Sequence, residues 1–75
     1  PLSDIERKVL RIIINVSNYG RSPKMPTVPD LKWRTGRSER GIYRVLAGLN
    51  HKGYIEWSRQ EPHKIVLLSQ SSKNP

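Results

Sequence analysis

Apolar residues recur at helical spacing in three separate stretches of the chain. The first predicted helix runs from Asp4 to Tyr19, with Ser3 and Glu6 forming a capping box at its start and Gly20 at the position that commonly follows a helix end. Its predicted inner face consists of Ile5, Val9, Ile12, Ile13 and Val16. This spacing indicates an amphipathic helix that packs on a core.

Two further helices follow in close succession. Thr27 caps a short helix predicted over Val28–Arg34, which Gly36 ends. A longer helix is predicted over Ser38–Lys52, with Ser38 as its cap and Gly53 just beyond it. The inner face of this helix is predicted to hold Ile42, Val45, Leu46 and Leu49.

The periodicity changes after Gly53. Residues 54–58 alternate between apolar and polar, and residues 65–68 are apolar, which predicts two strands joined by a polar loop over residues 59–64. Residues 69–75 are polar, with no pattern that predicts structure. We therefore expect one α+β domain over residues 1–75, with three helices, a C-terminal β-hairpin, an ordered part of about 3–69 and a polar tail of 70–75.

Charge is the most informative feature of the composition. Fourteen Lys and Arg oppose six Asp and Glu, which gives a net charge of +8 over 75 residues. This excess predicts a polyanionic partner, nucleic acid before membrane. The chain has no cysteine, which excludes disulfides, and its longest unbroken apolar run is far shorter than a membrane helix needs.

A short helix is joined through a glycine turn to a longer helix, and a hairpin follows. This order of elements matches a helix-turn-helix with a wing. Met25–Leu31, Gly36 and Leu46–Glu56 resemble the amino-terminal winged helix of LexA-type repressors, over about residues 4–68. The end of this pattern is also similar to MarR-like regulators. The resemblance implies a winged helix-turn-helix that binds double-stranded DNA, as a bacterial, phage or plasmid transcriptional regulator or repressor.

Ile42–Leu46, Lys52–Gly53 and Pro62 give a narrower similarity to Z-alpha domains, which bind left-handed DNA. Those domains rely on an Asn, a Tyr and a Trp where this chain has Tyr43, Ala47 and Ile65. Z-DNA binding therefore stays an alternative, behind ordinary duplex binding.

On a helical wheel, the face of the third helix opposite its apolar residues holds Arg40, Tyr43, Arg44, Ala47 and His51, with Gly48 beside them. Arginine can bond bidentately to guanine in the major groove. Our candidates for base contacts are Arg40, Tyr43, Arg44 and Ala47. Tyr43 could instead cover the seam between helix and hairpin, and the arginines could be solvated.

A second set of residues is expected to contact phosphates. Residues 32–44 contain five Lys or Arg and one Glu, the strongest concentration of positive charge in the chain. The candidates, including those on the wing, are Lys32, Trp33, Arg34, Arg37, Ser38, His51, Arg59, His63 and Lys64. Packing is the favoured interpretation for both Trp33 and Trp57, by a narrower margin for Trp33.

We expect double-stranded DNA as the partner, bound by a monomer or by a homodimer on a palindromic site. No cofactor, metal, small-molecule ligand or membrane is expected, since the two histidines lack companion ligands at metal spacing. No constellation of catalytic groups is evident, so we do not expect an enzyme. The expected location is the cytoplasm, on the nucleoid. Protein association through the winged helix, or nonspecific nucleic-acid binding, are the alternatives.

Overall fold

A computed structural model describes residues 2–19 and 26–68. Helices α1 (Asp4–Tyr19), α2 (Val28–Thr35) and α3 (Glu39–His51) precede strands β1 (Ile55–Ser58) and β2 (Glu61–Leu67). The strands form a two-stranded antiparallel sheet at the C-terminal end. The predicted α+β arrangement of three helices and a hairpin is confirmed. Gly20 and the polar tail lie outside the described residues.

The predicted caps start all three helices. The Ser3 hydroxyl accepts the Glu6 backbone N–H at 3.2 Å, and the Glu6 carboxylate accepts the Ser3 N–H at 2.9 Å. Thr27 and Asp30 form the same reciprocal pair on α2. Each cap satisfies backbone donors that a helix start otherwise leaves unpaired.

The connection between α2 and α3 is only three residues long, from 36 to 38. Gly36 adopts the left-handed conformation (φ 73°) and donates its N–H to the Lys32 carbonyl at 2.8 Å. The Ser38 hydroxyl then accepts the Gly41 N–H at 3.1 Å. Ser38 is therefore the cap that precedes α3, which begins one residue later than predicted, whereas α2 continues one residue further, to Thr35.

Every element contributes to one core. Val9 and Ile13 of α1 meet Val28 and Leu31 of α2, and all four residues predicted for the inner face of α3 are buried. The sheet adds its own inner face. The full core consists of Val9, Ile13, Val28, Leu31, Ile42, Val45, Leu46, Leu49, Ile55, Trp57 and Ile65. A lone hairpin is not stable in water, and this packing is what holds it.

The hairpin differs from its prediction. The expected polar loop over residues 59–64 is wrong, because β2 already begins at Glu61 and only Arg59 and Gln60 form the turn. Register passes from Glu56↔Val66 to Ser58↔Glu61, which leaves extra residues on β2 as a bulge. Pro62 lies there, where a residue without an N–H is tolerated. Its carbonyl accepts the Trp57 indole N–H at 3.0 Å.

Candidate nucleic-acid interface

Three neighbours hold α3 in place and leave one of its faces free. Its apolar residues face the core, its Tyr43 and Asn50 side meets the hairpin, and its Gly48 and Lys52 side meets the start of α1. Among residues 2–19 and 26–68, no other element packs against the remaining face, so a partner can approach α3 there. This orientation agrees with the helical wheel for most positions and corrects it for two.

Tyr43 is the first correction. Its ring is half-buried and meets the Trp57 ring edge-on, with 5.3 Å between centroids. The Arg59 guanidinium lies 6.0 Å from the same ring, over its face. Burial raises the pKa of Tyr43, and a hydrogen bond to the Glu39 carboxylate raises it further. Tyr43 therefore lies in the seam between α3 and the hairpin. This location suits a role in positioning the hairpin better than a role in contacting bases.

Asn50 strengthens the same seam and was not singled out in the sequence. Its side-chain oxygen accepts the Trp57 backbone N–H at 3.2 Å. Trp57 is only 6% exposed, which confirms the interpretation that it packs in the hairpin. No local pattern indicates this contact, because Asn50 is an ordinary polar residue near a helix end.

Gly48 is the second correction, because it faces α1 and not the free face of α3. A methyl group at this position would collide with the Glu6 carboxylate. The same carboxylate accepts Lys52 Nζ at 2.7 Å, and the Glu6 side chain is only 12% exposed. The Lys52 hydrogen bond, helped by the Ser3 backbone N–H, holds the pKa of Glu6 below its ordinary value. One carboxylate thus joins the start of α1 to the end of α3.

The pair predicts a specific dependence of stability on pH. Since the folded pKa of Glu6 is lowered, its charge stabilises the folded state above the ordinary carboxyl pKa, and that contribution is lost as pH falls through the lowered value. Glu6→Gln keeps a residue suited to the capping box but removes the charge. We expect its melting temperature to lie below that of the wild type at neutral pH and to converge with it in acid. Thermal melts from about pH 7 to about pH 3 check this; a constant difference would contradict it.

The free face of α3 carries Arg40, Arg44 and His51, all exposed, with half-buried Ala47 between them. Arg40 and Arg44 flank an open cleft of about 310 Å³, lined also by Ser38 and Gly41. A Cβ atom at Gly41 would lie 3.5 Å from Ser38 Oγ and 3.7 Å from Arg37 Cβ, so the absence of a side chain there keeps this wall of the cleft low. The guanidiniums of Arg40 and Arg44, each able to donate two parallel hydrogen bonds beside this cleft, suit the edge of a base or a phosphate group.

Three further exposed cations precede α3 in the chain. Lys32, Arg34 and Arg37 are exposed on α2 and in the turn that follows. Trp33 is 87% exposed, so packing, which the sequence favoured for it, is wrong. The reason is that Val28 and Leu31 take the buried side of α2 and Trp33 projects from the other. We use the name basic face for the five exposed cations of α2, the turn and α3 taken together, which are Lys32, Arg34, Arg37, Arg40 and Arg44.

The wing divides into two parts. Arg59 is brought to α3 by its contact with Tyr43, and so adjoins the basic face. Lys64 instead lines an open groove of about 390 Å³ that runs from the hairpin to Asn50 of α3, together with Glu56 and Glu61. Two carboxylates make that groove a poor place for phosphate. His63 is exposed, with nothing that favours one role over another. Neither His63 nor Lys64 is carried into the interface proposed below.

Residues 2–19 and 26–68 contain no group of three or more potential metal ligands. No helix within these ranges is long and apolar enough to cross a membrane. No family model matches the chain, and no curated protein matches it.

Proposed function

We propose that the chain binds double-stranded DNA sequence-specifically, as a transcriptional regulator, with the free face of α3 in the major groove. The observation that carries the proposal is the pair Arg40 and Arg44, exposed around a cleft on the side of α3 that no other described element covers. Arginines in the first half of such a helix are placed where base edges are met. Lys32, Arg34, Arg37 and Arg59 then serve the phosphates on either side.

Salt dependence is the first test of this proposal. Each phosphate neutralised by a cation releases counterions, so the logarithm of the association constant falls as salt rises. With about five phosphates contacted, we expect a slope of roughly −4 to −5 against log salt concentration. Titrations of a labelled duplex at four or more salt concentrations give the slope. A slope near zero would contradict binding through the basic face.

Trp33 provides an optical test. Because it is 87% exposed and stands between Lys32 and Arg34, we expect duplex DNA to quench its fluorescence. Trp57, 6% exposed in the core, serves as an internal control that should not respond. Trp33→Phe should therefore abolish the quenching while the protein stays folded. If Trp33 fluorescence did not respond to DNA but changed with protein concentration, the result would favour the second candidate function, protein association through α2.

A further inference from the structure

A second basic surface lies on the solvent side of α1. Arg7 and Lys8 are exposed there, as is Arg11 about one helical turn later, and with Asp4 they line a shallow cleft of about 210 Å³. Three cations thus face one carboxylate. This surface, called the α1 face below, had no part in the interface expected from the sequence.

Folding does not explain these charges. Arg7 makes one long hydrogen bond, from Nη2 to the Leu2 carbonyl at 3.4 Å. Within the part of the chain that the structure describes, Lys8 and Arg11 have no hydrogen-bond or ion-pair partner. Like charges one turn apart on a helix repel each other, which costs stability. A cluster that the fold does not neutralise is suited to an external anion.

The α1 face and the free face of α3 lie on different helices. Val9 and Ile13 of α1 pack into the same cluster as Ile42 and Leu46 of α3, so each helix turns its polar side away from this shared core. The two helices meet beside Gly48 and Lys52, where the Glu6 carboxylate neutralises the lysine. This contact between the helices therefore adds no net positive charge to either surface.

We propose that the α1 face binds the phosphate backbone of a second DNA duplex, so that one domain bridges two duplexes. The inference rests on the proposed function for the first duplex. Phosphate is the fitting partner because the α1 face offers charge and hydrogen-bond donors but no exposed aromatic or aliphatic group among its lining residues. Binding there is independent of sequence and sensitive to salt.

A two-duplex capture assay tests this inference. The protein is loaded on a bead-bound duplex at low salt, and capture of a second, fluorescent duplex is measured. Arg11→Glu is compared with Lys64→Glu, since each lowers the net charge of +8 by two and each residue is exposed. We expect Arg11→Glu to lower second-duplex capture roughly tenfold without changing affinity for the first duplex, and Lys64→Glu to leave capture near the wild-type level. Thermal melting of both variants verifies that they fold.

The other outcomes would overturn bridging through the α1 face. Wild-type protein that holds the first duplex but captures no second one has a single binding surface. Capture that survives Arg11→Glu would mean that paired copies of the chain bridge the duplexes. If Arg11→Glu weakened binding of the first duplex as much as capture of the second, the α1 face would be part of the interface with the first duplex. Failure to hold even the first duplex would overturn the proposed function as well.

Discussion

Leu46→Ala is expected to lower the free energy of unfolding by about 2–5 kcal/mol. Leu46 is fully buried on α3, at the centre of a core to which all five elements contribute. Alanine would leave a cavity that Ile42 and Leu49, its neighbours along the helix, can fill only in part. A typical domain has only about 5–15 kcal/mol of stability, so the loss is a large part of the total. Urea unfolding measures it.

Val66→Ala is the matched control for this substitution. Val66 is 37% exposed on the outer side of the sheet, paired with Glu56. Surface substitutions of this kind usually change stability by about 0.5 kcal/mol or less. Equal effects of Leu46→Ala and Val66→Ala would mean that α3 does not turn Leu46 to the core, and the orientation of its free face would fail with it.

Arg44→Ala is expected to weaken binding to the preferred duplex by about 1–3 kcal/mol and binding to random duplex by much less. Arg44 is exposed on the free face of α3 and shares a cleft with Arg40. Loss of a bidentate contact to a base removes discrimination, whereas loss of a phosphate contact weakens all duplexes alike. Paired titrations with preferred and scrambled duplexes separate these two results.

Lys64→Ala is the control for Arg44→Ala, with the same change in charge. Lys64 shares its groove with Glu56 and Glu61. We therefore expect Lys64→Ala to change the affinity for neither the preferred nor the scrambled duplex appreciably. If Arg44→Ala lowered both affinities equally, α3 would be an electrostatic anchor only. Discrimination would then have to come from the wing or from DNA shape.

Local chemistry made most of the fold predictable. Ser3, Thr27 and Ser38 mark helix starts through hydrogen bonds to residues three positions away, so the signal and the structure lie in the same few residues. Gly36 and Gly53 adopt left-handed conformations, as their places after helices predict. The inner face of α3 follows from spacing alone.

Contacts between distant residues account for what the sequence did not predict. Near the early start of strand β2, the Trp57 indole N–H bonds to the Pro62 carbonyl across the hairpin, and no local pattern indicates that bond. Glu6 and Lys52 are 46 positions apart in the chain. A helical wheel places a residue on a face, but only the position of the neighbouring hairpin shows that the Tyr43 ring is engaged there.

Base recognition by α3 is tested most directly by selecting bound duplexes from a random pool with the wild-type protein and with Arg44→Ala. We expect the wild type to enrich a short motif containing guanine, the base that arginine contacts bidentately in the major groove, and the variant to lose preference at that position. A palindromic motif would also indicate a dimer. Tight binding with no enriched motif, or the same motif from both proteins, would contradict recognition through the free face of α3.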